Sequence, residues 1–123
     1  MRKLYHYWVC PFSRKIRILL AEKKLSFESV VIKPWEVPAS FLGLNPEGLP
    51  PVLTDDDGKN IANAYPIAEY LNEVYFEPSL LGETSAQRAE VRRLVACVSR
   101  CLYSTVASHV RIVPGKLYVP SRR

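Results

Sequence analysis

The chain opens with a short apolar run and then settles into helical spacing. Lys3 to Val9 carries Leu4, Tyr5, Tyr7 and Trp8 and reads as a first strand. From Pro11 to Lys24, Ile16, Leu19 and Leu20 fall on one face with charges opposite, the pattern of an amphipathic helix. Phe27 to Ile32 is β-branched and apolar, a second strand. Strand, helix and strand at this spacing form a βαβ unit, whose two strands run parallel under the right-handed crossover rule.

The pattern then breaks at Pro34, Pro38 and Pro46, leaving room for a short helix from Pro38 to Leu44. Pro51 to Thr54 and Asn60 to Ala62 flank Asp57-Gly58, a hairpin signal. Asn63 stands at an N-cap position. The helix it precedes runs from Ala64 to about Tyr75, with Pro66 tolerated in its first turn. Ile67, Tyr70, Leu71 and Val74 make its apolar face. Glu77 to Thr84 reads as a connection. Ser85 or a neighbour caps a long helix striped by Val91, Leu94, Val95, Val98 and Leu102. From Val106 on, β-branched residues and then Pro114, Gly115 and Pro120 end the helical pattern. The expected organisation is an α/β domain over residues 1–80 and a linker at 81–84. An all-α segment with an irregular basic tail follows over 85–123.

A chain of 123 residues, 48% apolar and 24% charged, suits one compact domain and is short for two. No apolar run reaches the length of a membrane span, and the segment after Arg2 and Lys3 is short for a signal peptide. Cys10, Cys97 and Cys101 do not make a disulfide framework, which points to a reducing, cytoplasmic setting without membrane contact. The net charge of +5 is uneven: residues 1–82 hold 9 Lys/Arg against 10 Asp/Glu, and residues 83–123 hold 8 against 2. These arginines are scattered without aromatic interleaving, so a nucleic-acid partner is not expected.

Candidate chemistry centres on Cys10, at the junction of the first strand and the first helix. The unpaired N–H groups and dipole of a helix N-terminus favour a thiolate there. Pro11 suits the first helical position, and Arg14 and Lys15 add positive potential. A buried cysteine acting as a small apolar residue is the alternative. Ser13 takes the place of the second cysteine of a dithiol motif, so exchange at Cys10 would be monothiol. Cys97 and Cys101, at i,i+4, have no nearby third and fourth ligand apart from His109. They are expected to be buried or partly buried helix residues, with no metal. Tyr5, Tyr7 and Trp8 are assigned to core and edge packing, and Asp55 to Asp57 to a solvated turn.

The strings CPFSRKIRILLAEK, FLGLNPEGLPPVL, DDDGKNI, IAEYLNE and AEVRRLV occur in that order. Together they resemble the N-terminal half of bacterial cytosolic glutathione S-transferases, over roughly residues 3–94. The resemblance implies a thioredoxin-like fold, β-α-β then β-β-α. The cysteine form of the first string is most similar to omega-type transferases, in which the cysteine forms mixed disulfides with glutathione. It implies a cis peptide before Pro51, which positions glutathione, and a backbone pairing by the preceding residue. That residue here is Pro50, which has no N–H, so one of two hydrogen bonds is lost, at about 1–3 kcal/mol of binding. Where the family places Glu/Gln-Ser for the γ-glutamyl group, this chain has Asn63-Ala64. The Ala64 N–H remains, but the serine hydroxyl and the acidic partner are absent. After AEVRRLV the resemblance fades, which implies that the all-α segment is truncated and lacks the helical bundle that shapes the family's electrophile pocket.

Two functions follow. One is an enzyme that transfers glutathione, or exchanges it with disulfides, through Cys10. Glutathione is its co-substrate, held by Ser13, Pro50, Pro51, Asn63 and Ala64, and a small electrophile or mixed disulfide is the second partner. The other is a non-catalytic transferase-fold protein acting through protein contacts. A homodimer fits either.

Overall fold

The computed structural model describes the backbone of residues 1–109, 111–113 and 116–118, and the side chains of residues 1–105. Strand β1 (Lys3–His6) leads to helix α1 (Pro11–Glu22) and strand β2 (Glu28–Val31). A short helix α2 (Ala39–Leu42), strands β3 (Val52–Thr54) and β4 (Asn60–Ala62), and helix α3 (Ala64–Val74) follow. Helix α4 (Ser85–His109) comes next, and then two short strands, β5 (Arg111–Val113) and β6 (Lys116–Tyr118), which pair antiparallel.

The four-stranded sheet has the order β2-β1-β3-β4. β1 pairs parallel with β2 and antiparallel with β3, and β3 pairs antiparallel with β4. This is the thioredoxin-like arrangement expected from the element order. Val52 and Leu53 are adjacent in sequence and both fully buried, because β3 is covered on both faces. On one side Leu4 and Leu53 pack with Ile16 and Leu20 of α1 and Ile67 and Leu71 of α3. On the other, Val52, Ile32 and Phe41 form a smaller cluster. Each fully buried aliphatic side chain contributes about 1.5–3 kcal/mol.

Hydrogen bonds explain where elements stop. β1 ends at His6 rather than Val9 because the Tyr7 N–H donates to Ser13 Oγ instead of a neighbouring strand. α1 stops at Glu22, short of Lys24, with the N–H groups of Leu25 and Lys24 donating to the carbonyls of Leu20 and Ala21. That is a Schellman closure with Lys24 left-handed at φ 54°. α4 begins in a reciprocal cap: the Gln87 N–H donates to Thr84 Oγ1, and Gln87 Oε1 accepts from the Thr84 and Glu83 N–H groups. It then overruns the expected end near Val106, since one β-branched residue costs a helix only a few tenths of a kcal/mol. The breakers Pro114, Gly115 and Pro120 lie outside the described residues or their side chains.

Two expectations about burial fail. Asp55 is not part of a solvated turn: it is 4% exposed and ion-paired with the equally buried Arg2, Nε to Oδ1 at 2.7 Å. Tyr70 and Tyr75 hydroxyls donate to the same carboxylate at 2.7 and 3.0 Å. Burial alone would push the Asp55 carboxyl up. The hydrogen bonds from Tyr70, the Asp56 backbone, Tyr75 and Arg2 outweigh it and hold the carboxyl below its ordinary value. Second, Cys97 and Cys101 are exposed, not buried, because little of the described chain covers the outer side of α4. Leu94, Val98 and Leu102 on that helix are 49%, 56% and 37% exposed.

Candidate functional site

Strand register gathers the site. Val52 pairs with Tyr5 on one side and Ala62 on the other. The exit of β1 towards Cys10, the Pro50–Pro51 approach to β3, and the Asn63–Ala64 start of α3 therefore share one end of the sheet. At that end Cys10 is the N-cap of α1, with extended backbone, and Pro11 takes the first helical position. Its thiol is half-buried, and its Sγ accepts from the Ser13 N–H at 3.5 Å. Ser13 is fully buried, and its hydroxyl fixes the loop before Cys10 by accepting from Tyr7. The Cys10 N–H closes a turn to the Tyr7 carbonyl at 3.2 Å.

Pro50 and Pro51 are buried, and the bond between them is cis. The Pro51 carbonyl accepts from the Asn63 N–H at 3.0 Å, tying this approach to the start of α3. Asn63 occupies the N-cap position but does not cap: its side chain makes no cap hydrogen bond, and its backbone stands at φ 73°, ψ 145°. For a residue with a Cβ that conformation costs about 1–3 kcal/mol, and such strain clusters at binding sites. Ala64, the first residue of α3, is 8% exposed. Beside α1, an open groove of about 570 Å³ is lined by Phe12 and by Ala96, Ser99, Arg100, Tyr103 and Ser104 of α4.

Sequence reasoning gives His6 and Arg17 no role here and assigns Trp8 to core and edge packing, whereas Trp8 is 57% exposed. His6 is fully buried, its Nε2 lies 2.6 Å from Ser29 Oγ, and its Nδ1 has no partner among the described residues. A proton on Nε2 donates to Ser29 and leaves Nδ1 a bare acceptor, which avoids an unpaired buried donor. Burial, and then the charge of Arg17, push the imidazole below its ordinary pKa and keep it neutral. The His6 ring meets Trp8 edge-on, with centroids 4.7 Å apart. Arg17 donates to the Trp8 carbonyl at 3.2 Å and lies 4.6 Å over the indole. Only contacts across the fold reveal this cluster; no local motif marks it. Burial also lowers the Lys15 pKa, against a smaller opposing pull from Glu69.

Among the described residues, no group of three or more His, Cys, Asp or Glu is arranged to hold a metal ion. No helix among them is long and apolar enough to cross a membrane.

Residues 9–74 match the sequence profile of the glutathione S-transferase N-terminal domain. The chain is 40% identical to FtsZ-localized protein A of Caulobacter vibrioides over 102 residues, 80% of this chain and 45% of that protein. A glutathione S-transferase of Rhodospirillum rubrum superposes with a TM-score of 0.81 at 52% identity, covering 85% of this chain and 47% of the other. Another, from Methylobacterium radiotolerans and solved in complex with glutathione sulfonate, superposes with a TM-score of 0.76 at 30% identity. It is matched over 85% of this chain and 50% of its own. The chain thus spans about half the length of the relatives it matches. By its sequence profile, its sheet order and these relatives, the chain belongs to the glutathione S-transferase family, through that family's N-terminal domain.

Proposed function

We propose that the protein binds glutathione at this end of the sheet and exchanges it with disulfides through Cys10. The observation that carries the reading is the half-buried Cys10 sulfur at the N-cap of α1, accepting from the Ser13 N–H. In the reaction, the Cys10 thiolate attacks one sulfur of a glutathione-bearing disulfide. A new S–S bond forms, the old one breaks, and the leaving thiolate takes a proton from water. A second glutathione thiolate then displaces Cys10 and regenerates it. Pro51 and the Ala64 N–H orient glutathione, with the α3 N-terminus favouring its γ-glutamyl carboxylate. Ser13 keeps the Cys10 loop in place. The open groove beside Phe12 is where an electrophile or mixed disulfide would lie. Three free cysteines suit a reducing cytoplasm.

The test is intact and peptide mass after brief exposure to glutathione disulfide, beside a Cys10→Ser control. A rapid adduct confined to Cys10 supports the reading. No adduct, or slow labelling shared with Cys97 and Cys101, sinks it.

A second reading, a domain working through protein contacts, draws on Pro50, which cannot donate to a bound ligand, and on the exposed apolar row of α4. The Caulobacter relative is itself named for localisation with FtsZ. Self-association through that row would give a homodimer. Titration calorimetry separates the readings: this one expects no heat of glutathione binding, and the first expects saturable binding.

A further inference from the structure

The loop that presents Cys10 is tied at its ends, where Ser13 Oγ accepts from the Tyr7 N–H and the Cys10 N–H donates to the Tyr7 carbonyl, but it is exposed between them. Trp8 and Val9 are 57% and 78% exposed, and the Cys10 sulfur receives the Ser13 N–H at 3.5 Å. Arg17, on the second turn of α1, reaches back nine residues to this loop. It grips Trp8 at two points, donating to the backbone carbonyl at 3.2 Å and lying 4.6 Å over the ring. The ring cannot slide freely beneath the cation, because the buried His6 imidazole meets it edge-on and is itself pinned to Ser29. The indole is thus held by a cation over its π-face and by a perpendicular ring contact, both geometries that aromatic quadrupoles favour.

We infer that Arg17 is a positioning residue for the Cys10 thiol, acting through Trp8. With Trp8 clamped, the loop enters α1 at one angle, and the sulfur stays within reach of the Ser13 N–H. Without the clamp, the exposed middle of the loop keeps only the ties at Tyr7 and Cys10, and the thiol samples orientations away from the helix N-terminus. Two aromatic contacts with Trp8 and one hydrogen bond to its carbonyl converge two residues before the sulfur, in a loop otherwise exposed. The inference builds on Cys10 being the reactive group and adds residues that touch neither sulfur nor ligand.

The experiment uses the full chain with Cys97→Ser and Cys101→Ser, so that Cys10 alone reacts. The probe is 4,4′-dithiodipyridine, an uncharged disulfide; each attack by Cys10 forms a mixed disulfide and releases one pyridinethione, read by absorbance. Arg17→Met keeps the packed stem of the side chain, and Trp8→Ala removes the gripped ring at an exposed position. Both are expected to slow the reaction about tenfold near neutral pH, while melting shifts little. Trp8→Phe, which keeps a ring under the cation, is expected to recover most of the rate, a rescue that a merely structural role would not produce. Wild-type rates in both Arg17→Met and Trp8→Ala overturn the inference. If Arg17→Met fails to fold, the Trp8→Ala and Trp8→Phe pair decides. The glutathione reading fails separately: no adduct with glutathione disulfide, beside a clamp-dependent rate with the uncharged probe, leaves the clamp standing. An adduct that forms equally in all variants does the reverse.

Discussion

Replacing Asp55 with alanine removes the acceptor shared by Arg2, Tyr70 and Tyr75, the one fully buried ion pair among the described residues. Removing one partner of such a pair costs about 3–5 kcal/mol, because the other charge stays buried. Arg2 would keep the Ser26 carbonyl at 3.1 Å and Asp56 at 3.3 Å, and the Asp56 side chain is 59% exposed. Those remaining partners put the loss at the lower end, about 3 kcal/mol, or a fall in Tm of about 10–15 °C for a chain of this size. The assay is urea denaturation by circular dichroism on wild type, Asp55→Ala, Arg2→Met and the double variant. The double variant should be more stable than the sum of the single losses implies, with a coupling of about 1–3 kcal/mol. Acid adds a check. The folded carboxyl sits below the ordinary 3.8, so its contribution is complete above that value and is lost as pH falls through the folded value. Asp55→Ala should lack that loss. A penalty under about 1 kcal/mol, or additive single effects, would refute the network as a source of stability.

Lys24→Gly should raise stability by about 0.5–1 kcal/mol, since glycine occupies the left-handed closure of α1 without a Cβ penalty; a lower urea midpoint would contradict this. Lys23 is 5% exposed and donates to the Tyr75 and Pro78 carbonyls at 2.6 and 3.0 Å. Lys23→Met should cost about 1–3 kcal/mol and speed proteolytic cleavage between residues 75 and 84, and an unchanged cleavage rate would argue against this tie. Burial and Arg17 hold His6 below its ordinary 6.5, so the unfolded chain takes up the proton first as pH falls. Stability present above 6.5 should decline as pH falls below it, and His6→Phe should flatten that slope in denaturation series at several pH values.

Much of the fold is legible in the pattern of apolar positions, because the core elements obey local rules. Ile16 and Leu20 lie on the buried face that spacing assigns them, and Asn60–Ala62 pairs across the Asp57-Gly58 turn as a hairpin. What escapes is set by distant partners. Asp55 reads as one of three aspartates in a turn until Arg2, 53 residues away, meets it. β1 reads through to Val9 until Ser13 takes the Tyr7 N–H. The exposure of Cys97 and Cys101 depends on what covers α4, which its own periodicity does not state.

The site divides in the same way. The positions of Cys10 and Ser13 at the start of α1 are legible because helix N-terminal geometry is local, whereas Pro50, Pro51, Asn63 and Ala64 enter the candidate site through the family resemblance. The Arg17 clamp is not legible, since nothing in a helix pattern says that a half-buried arginine turns back to a loop nine residues earlier. Asn63 is the most instructive residue. Local rules make it a capping residue, yet its side chain caps nothing and its backbone is held at φ 73°. A plain N-cap would have relaxed to extended backbone and capped the helix. The strained turn therefore serves another end: it keeps the Asn63 N–H on the Pro51 carbonyl and holds the start of α3 against the approach to β3. That tie is made by backbone atoms, so it does not depend on the side chains that Asn63-Ala64 carry in place of the Glu/Gln-Ser of the family resemblance.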